Sequence, residues 1–232
     1  MEFDKVSLET CDQATGVVVV IDVIRAFTTA AFAFAAGAET ITLVSTVEEA
    51  FALRRRNPDY LIMGEVNGLP ADGFDFGNSP AALVDIDLAG RHLIQRTSTG
   101  TQGVVRSTQA NALLTSSFCC AQATVDWIKQ MSPQKVTFVI CGLVAEGYGD
   151  EDTACADYLE ALLREEEVDV VDYLRRVHES TTSQRLFANP DKPRFRWEDI
   201  ECCIDVDRFD FAMVVERVDG LLTMRPSRQA TE

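Results

Sequence analysis

The sequence predicts an α/β protein with a parallel or mixed sheet covered by helices. Short runs rich in Val and Ile alternate with longer segments of helical pattern, and glycine-rich polar loops follow several of the runs. The 232 residues are 47% hydrophobic and 25% charged, which is typical of a globular chain and excludes extensive disorder. We expect one compact unit, residues 1–232, with two related α/β halves at 1–115 and 116–232 and an active-site cleft between them.

The clearest strand and helix lie near the start of the chain. Residues 17–21 form a continuous apolar run, which predicts a strand covered on both faces. Residues 25–36 follow as a helix rich in Ala and Phe. Gly37 is expected to end it, because glycine accepts the left-handed conformation that closes many helices. Residues 136–164 have the same plan, and this similarity is the basis for expecting two related halves.

The other elements follow from similar patterns. Thr46 and Glu49 have the spacing of a capping box, which predicts a helix over residues 47–56. The remaining expected elements are strands at 40–44, 60–63 and 92–95, helices at 121–129, 151–164, 170–178 and from Val104 onward, and a hairpin of 210–216 and 221–224 that turns at Asp219-Gly220.

Charge and composition exclude several classes of function. Asp and Glu number 37 against 21 Lys and Arg, a net charge of −16, so the chain lacks the basic face of a general nucleic-acid binder. No run of about 18 apolar residues lacks a charge, and the first residues lack the pattern of a secretory signal. We therefore expect no membrane span and a cytoplasmic location. Seven Cys, two His and no CxxC pair argue against a zinc site.

Four polar loops fall at the expected carboxyl ends of strands, where ligands gather in open α/β sheets. In the first, Asp22 follows an apolar run directly, and a carboxylate there needs a hydrogen bond, an ion pair or a metal ion. Asp22 is a candidate Mg²⁺ ligand; alternatively it caps the next helix or pairs with Arg25. Arg25 lies at the start of that helix, where its guanidinium and the backbone N–H groups could hold a phosphate.

The second loop, residues 64–80, is dominated by turn-forming residues, among them four Gly and two Pro. Glu65 is again an acid directly after an expected strand. Asn78 and Ser79 are small polar groups that either contact a ligand or cap a helix that begins at Pro80.

The third loop offers hydroxyl groups, a glycine and a guanidinium before an expected helix, which is typical of an oxyanion cradle. It comprises Arg96, Thr97, Ser98, Thr99, Gly100 and Thr101. Such stretches are also common in ordinary turns, so the signal alone is weak.

The fourth loop follows the expected strand at 136–140 and carries several acids, Glu146 among them. Asp152 is a candidate metal ligand, whereas the helix dipole accounts for Glu151 in the first turn of a helix. Cys141 ends the strand where a nucleophile could lie. No histidine is near it in the sequence, so we expect a structural thiol.

Read in order, the four loops resemble the 2-phosphosulfolactate phosphatases. The resemblance rests on the strings IDVIRAFTTA, GEVNGLPADGFDFGNSP, RTSTGTQG and ICG with EDTACA, and it covers roughly residues 15 to 190. It implies an α/β fold with the active site in a cleft between two related parts. It also implies Mg²⁺-dependent hydrolysis of a phosphomonoester on a small acid that carries a sulfonate, a reaction of coenzyme M biosynthesis.

The resemblance also implies roles for individual residues. The family's Asp-x-x-Arg motif falls on Asp22 and Arg25, and its glutamate after the third strand falls on Glu65; these three are the expected catalytic residues. Asp22, Glu65 and Asp152 are the expected metal ligands. The GNSP segment and the hydroxyl-rich loop give the expected substrate-binding residues, namely Arg25, Asn78, Ser79, Arg96, Thr97, Ser98, Thr99, Gly100 and Thr101.

One departure concerns the residues after Glu65, where an arginine and a second glycine are common in the family and residues 66–68 are Val-Asn-Gly here. We expect one cationic contact to the substrate to be absent, and Arg96 is the candidate to replace it.

The resulting hypothesis is a Mg²⁺-dependent phosphatase that converts 2-phospho-3-sulfolactate to 3-sulfolactate and phosphate. The alternative is a non-catalytic module that binds a small phosphorylated or sulfonated metabolite through the same arginines and hydroxyls. The expected partner is a small anionic phosphoester. The sequence allows a homo-oligomer, and neither nucleic acid nor a membrane is expected.

Overall fold

The computed structural model of the chain describes residues 1–142, 149–187 and 196–228. These residues form nine strands in one sheet together with eight helices. The strands are β1 (Glu2–Ser7), β2 (Gly16–Ile21), β3 (Thr40–Leu43), β4 (Leu61–Gly64), β5 (His92–Arg96), β6 (Ala110–Ser116), β7 (Lys135–Ile140), β8 (Phe211–Val218) and β9 (Leu221–Arg228). The helices are α1 (Ala26–Ala35), α2 (Val47–Arg56), α3 (Gly100–Arg106), α4 (Ala121–Met131), α5 (Asp150–Leu163), α6 (Val170–Glu179), α7 (Thr181–Phe187) and α8 (Trp197–Ile204).

An antiparallel hairpin joins two groups of parallel strands in this sheet. The strand order is β1-β7-β2-β6-β8-β9-β3-β5-β4. The first four strands are parallel, as are the last three, whereas β8 and β9 pair antiparallel with each other and with their outer neighbours. Three antiparallel steps separate β6 from β3, so the two groups run in opposite directions. The predicted α/β fold with a mixed sheet is confirmed; the division into related halves stays a prediction.

Strand β2 is buried on both faces, as its apolar run predicts. Val17, Val19 and Ile21 belong to the core that β2 shares with α4 and α5. Val18 and Val20 belong to the opposite core, which contains the buried side of α1. Because side chains alternate along a strand, a continuous apolar run is what a strand between two cores requires.

Helix α3 brings the second strand group against the first. It follows β5 and packs on β2 so closely that a methyl group at Gly103 would lie 2.7 Å from Val20 Cγ1 and 3.0 Å from Cys141 Sγ. This approach places the loop before α3 next to the carboxyl end of β2.

Two local predictions are confirmed in detail. Thr46 and Glu49 form the capping box of α2, with the Glu49 N–H donating to Thr46 Oγ1 at 3.1 Å and the Thr46 N–H donating to Glu49 Oε2 at 3.1 Å. Asp219 and Gly220 form the two-residue turn between β8 and β9, with φ of 51° and 83°. Positive φ at both turn positions matches the right-handed twist of the strands.

Other expectations were wrong. The helix expected from Val104 begins four residues earlier and ends at Arg106, and β6 follows it in the middle of the sheet. The alternative in which Asn78 and Ser79 cap a helix that begins at Pro80 is also wrong, because that segment is only a single 3-10 turn at Ala81–Leu83 without a side-chain cap. Strand β1 was not expected. None of the described helices has the length and apolar character needed to cross a membrane.

Candidate active site

Asp22 lies at the centre of the candidate site, directly after β2, and is 5% exposed. Its Oδ1 accepts a hydrogen bond from the N–H of Ala26, the first residue of α1, at 2.9 Å. Its Oδ2 accepts one from Thr99 Oγ1, also at 2.9 Å. Asp22 therefore binds the helix start, one of the alternatives considered, and it also connects β2 to the loop after β5.

Glu65 follows β4 and is bound by the same hydroxyl-rich loop. Its Oε1 accepts a hydrogen bond from the Ser98 N–H at 2.5 Å, and its Oε2 accepts bonds from Gly68 N–H at 2.6 Å and Ser98 Oγ at 3.0 Å. Neighbouring residues of one loop, Ser98 and Thr99, thus hold the two carboxylates that the sequence predicted to act together.

Two hydroxyls of the predicted cradle have internal partners. Thr97 N–H donates to Thr101 Oγ1 at 2.9 Å, and Thr101 N–H donates to Thr97 Oγ1 at 2.9 Å. Both side chains are fully buried. They therefore stabilise the start of α3. Gly100 is also required for packing, because a methyl group there would lie 2.9 Å from Asp22 Oδ2.

Two further acids, Glu151 and Asp152, come from the first turn of α5 and are both 3% exposed. Asp152 Oδ1 accepts a hydrogen bond from the Val23 N–H at 2.8 Å, and its Oδ2 accepts one from the Gly142 N–H at 2.9 Å. Asp152 therefore braces the segments that follow β2 and β7. Glu151 is different, because its Oε2 is buried and has no hydrogen-bond partner.

These acids disfavour one another's ionisation. Burial raises the pKa of Asp22, and the charge of Glu65 adds to the shift, although hydrogen bonds from Ala26 and Thr99 oppose it. Burial, with the charges of Glu151 and Asp22, raises the pKa of Asp152 well above its ordinary value. Burial raises the pKa of Glu151 in the same way, although hydrogen bonds from its own backbone N–H and from the Thr182 side chain oppose the shift, and the charge of Asp22 adds to it. A cation at this place would offset the repulsion.

The predicted metal ligands fit Mg²⁺ by charge and donor type. No group of three His, Cys, Asp or Glu side chains within residues 1–142, 149–187 and 196–228 is arranged to hold a metal ion by itself. Mg²⁺ does not need such a cage, because it usually binds one or two carboxylates and completes its shell with water and substrate phosphate. Of the predicted ligands, Asp22 suits that mode. Glu151 was not predicted as a ligand, but its unpartnered Oε2 suits that mode as well.

Arg25 forms an ion pair that the sequence did not reveal. Arg25 Nη1 donates to Asp199 Oδ2 at 2.5 Å, and the two side chains are 5% and 1% exposed. The Ile24–Arg25 peptide bond is cis. Asp199 has Glu198 beside it in the first turn of α8. Acids in the first turn of a helix are common because they interact favourably with the helix dipole, so no pattern in the sequence indicated the role of Asp199.

The remaining predicted binding residues lie around these groups. Ser79 Oγ donates to Asp199 Oδ1 at 2.6 Å. Asn78 is 9% exposed, and its buried Oδ1 has no hydrogen-bond partner. Arg96 Nη1 donates to the Glu65 carbonyl at 2.7 Å, and its Nε donates to the Ser45 carbonyl at 3.3 Å. Arg96 therefore braces the loop that carries Glu65.

The thiol at the end of β7 behaves as the sequence predicts. Cys141 is fully buried. Burial raises the pKa of its thiol well above the ordinary value, and the charges of Asp22 and Asp152 add to the shift. A thiol in this environment is a poor nucleophile. Glu146, the other acid noted near this strand, lies outside the described residues.

Comparison with known proteins shows which family the chain belongs to. A family model described as 2-phosphosulpholactate phosphatase matches residues 4–217. A "Probable 2-phosphosulfolactate phosphatase" of Bacillus subtilis (strain 168) is 34% identical over 203 residues, which cover 87% of this chain and 87% of the relative. A protein of the same name from Thermoplasma acidophilum is 29% identical over 212 residues, covering 91% and 90%. One from Synechocystis is 37% identical over 153 residues, covering 65% and 63%.

Proposed function

Since the chain belongs to the 2-phosphosulfolactate phosphatase family, whose members are phosphoric monoester hydrolases, we propose that it hydrolyses 2-phospho-3-sulfolactate to 3-sulfolactate and phosphate with the help of Mg²⁺. The observation that carries the proposal is the meeting of Asp22, Glu65, Glu151 and Asp152 in one buried cluster. Arg25 directly precedes Ala26, whose N–H donates to Asp22. Several buried carboxylates in one place favour the binding of a cation. A bound cation in turn attracts a phosphate group.

Asp22 and Glu151 are the residues that would hold the Mg²⁺ ion, which when bound supplies positive charge for the phosphoryl oxygens. Asp152 keeps the segments after β2 and β7 together through its two backbone partners. Glu65 was also predicted as a ligand. Three hydrogen bonds tie its carboxylate to Gly68 and Ser98, and these bonds support a role in ordering the hydroxyl-rich loop.

Arg25 and Asn78 have complementary roles in the proposed reaction. Arg25 binds phosphoryl oxygens, because a guanidinium matches their geometry. Asn78 Oδ1 is a buried acceptor without a partner, and such atoms normally bind a donor. The ionised substrate carries phosphate, carboxylate and sulfonate groups and has no donor of its own. A water molecule is therefore the proposed occupant, and Asn78 orients it for attack on phosphorus.

The test is phosphate release from 2-phosphosulfolactate and from 2-phospholactate, each with Mg²⁺ and with EDTA. We expect release that requires Mg²⁺ and favours the sulfonated ester. Asp22→Asn should lower kcat/KM by about 100-fold or more, as expected when a charged group that acts on the transition state is removed. Asp157→Asn, which alters a half-buried ion pair with Lys5 and Arg176, is the matched control and should keep wild-type activity.

Three outcomes would contradict the proposal in different ways. Release from other esters only would reject the substrate and keep the phosphatase. Release that is unchanged in EDTA would reject the metal. Thermal stabilisation by an ester without any release, in both wild type and Asp22→Asn, would favour the binding module.

A further inference from the structure

A buried carboxylate of α8 connects two segments of the site that lie far apart in the sequence. Asp199 is 1% exposed, and its oxygens bind different partners. Oδ2 accepts the hydrogen bond from Arg25 Nη1 at 2.5 Å, while Oδ1 accepts bonds from Ser79 Oγ at 2.6 Å and from the Ala81 N–H at 3.2 Å. One side chain thus fixes the segment after β2 relative to the segment that contains Asn78 and Ser79.

The ion pair with Asp199 restricts the orientation of the Arg25 guanidinium. A guanidinium is planar and rigid, so a hydrogen bond at Nη1, together with the attachment of the group at Nε, restricts its plane and the directions of its other N–H groups. Because both partners are almost completely buried, replacement of Asp199 by a neutral residue removes a charged partner from a buried guanidinium. The pair therefore holds Arg25 in one orientation before any ligand arrives.

Helix α8 holds the same segment at a second point. Cys203, one helical turn after Asp199, is fully buried, and its Sγ donates to the Val23 carbonyl at 3.1 Å. Two residues on one face of α8 therefore contact the connection between β2 and α1. A helix that only covered the core would not need a buried carboxylate at this position.

We propose that Asp199 is a positioning residue, which holds Arg25 in the orientation that binds a phosphoryl group and anchors it to the segment of Ser79. The inference rests on the proposed function for the identity of the substrate, whereas binding of a phosphate group can be measured independently of turnover. Asp199 acts through Arg25, so the loss caused by its replacement depends on the presence of Arg25.

The test is a double-mutant cycle of Asp199→Asn and Arg25→Ala. Two quantities are measured, the affinity for inorganic phosphate by calorimetry up to millimolar concentrations and kcat/KM for 2-phosphosulfolactate. We expect Asp199→Asn to lower both by about 10- to 100-fold in the wild-type background, the usual range for a residue that orients a ligand-binding group. With Arg25 already replaced, we expect it to change them less than about threefold.

Controls separate positioning from a purely structural role. Thermal unfolding of each variant shows whether the fold is kept, and Asp157→Asn should bind phosphate like the wild type. If Asp199→Asn does not fold, Asp199→Glu keeps the charge and moves the carboxylate by one methylene. We expect this variant to lose phosphate affinity at a preserved unfolding midpoint.

The outcomes distinguish this inference from the proposed function. Equal losses from Asp199→Asn in both Arg25 backgrounds, or wild-type phosphate affinity in Asp199→Glu, would overturn the positioning role. Wild-type protein that binds phosphate with the expected coupling but does not hydrolyse the ester would overturn the proposed function and support the positioning role.

Discussion

Hydroxyl groups in this site hold carboxylates in place. Thr99 Oγ1 donates to Asp22 and Ser98 Oγ donates to Glu65, so neighbouring residues of one short loop set the distance between two acids from different strands. Hydrogen bonds to an ionised carboxylate favour its charged form and oppose the effect of burial. Through Thr99, the loop that the sequence indicated as an anion cradle thereby also favours the charged form of Asp22.

At the residue scale, Glu151→Gln tests whether the Glu151 carboxylate lowers the stability of the metal-free protein although activity requires it. The carboxylate is buried, its Oε2 has no partner, and burial raises its pKa, so its charge opposes folding when no cation is bound. We expect the neutral amide to raise the unfolding midpoint in EDTA by about 2–4 °C, which is ~1 kcal/mol for a chain of this size. Phosphatase activity should fall at least about tenfold.

Glu160→Gln on the same helix is the matched control. Glu160 pairs with Lys5 and Arg164 near the surface, so its replacement should leave stability unchanged or lower it slightly. A Glu151→Gln variant that is less stable than the wild type in EDTA would show that the carboxylate is satisfied in the folded protein.

At the scale of elements, the turn between β8 and β9 offers a clean test of backbone strain. Gly220 has φ of 83°, and a methyl group placed there meets no atom within 4 Å. Gly220→Ala should therefore lower the free energy of unfolding only through its conformation, by about 1 kcal/mol. Chemical denaturation measures this loss, and kcat/KM should not change.

Asp219→Gly is the corresponding control, because glycine accepts the φ of 51° at that position. It should be close to neutral. A Gly220→Ala variant as stable as the wild type would mean that the turn does not adopt this conformation in solution.

Secondary-structure elements that are determined by a few neighbouring residues could be predicted from the sequence. The capping box of α2, the apolar run of β2 and the Asp-Gly turn each contain their own signal within a few residues. Strand β6 does not, because residues 110–116 read ANALLTS and lack the Val and Ile run of the other central strands. Its conformation is imposed by pairing with β2 and β8 on either side.

The same distinction applies to the site. Asp22, Glu65 and Arg25 follow strands or begin a helix, so their positions in the fold suggested a role. Asp199 acquires its role from partners 174 and 120 residues away in the chain. No pattern near Asp199 carries that information, and only the fold brings the three side chains together.

For the whole molecule, the acidic cluster predicts an unusual dependence of stability on pH. The pKa values of Asp22, Glu151 and Asp152 are raised, so between the ordinary carboxyl range and the raised values the folded protein binds more protons than the unfolded chain. The contribution of the cluster to the free energy of unfolding therefore increases as the pH falls through that window.

We expect the unfolding midpoint in EDTA to rise as the pH is lowered from the raised pKa values of these acids towards the ordinary carboxyl range. Mg²⁺ should reduce this dependence, because it stabilises the ionised form, and Glu151→Gln should also reduce it. Scanning calorimetry in both conditions measures the effect. A midpoint in EDTA that falls steadily over this range would contradict the assigned direction of the shifts.

The central position of the β8–β9 hairpin also has a consequence for synthesis of the protein. Residues 211–228 lie between the two parallel strand groups, and β3 pairs with β9 although some 180 residues separate Ile41 from Met224. The ribosome makes this hairpin after every other described strand. Before it emerges, β6 and β3 each expose an unpaired edge, and such edges favour aggregation. Nascent chains that stall before residue 211 are therefore expected to depend on chaperones.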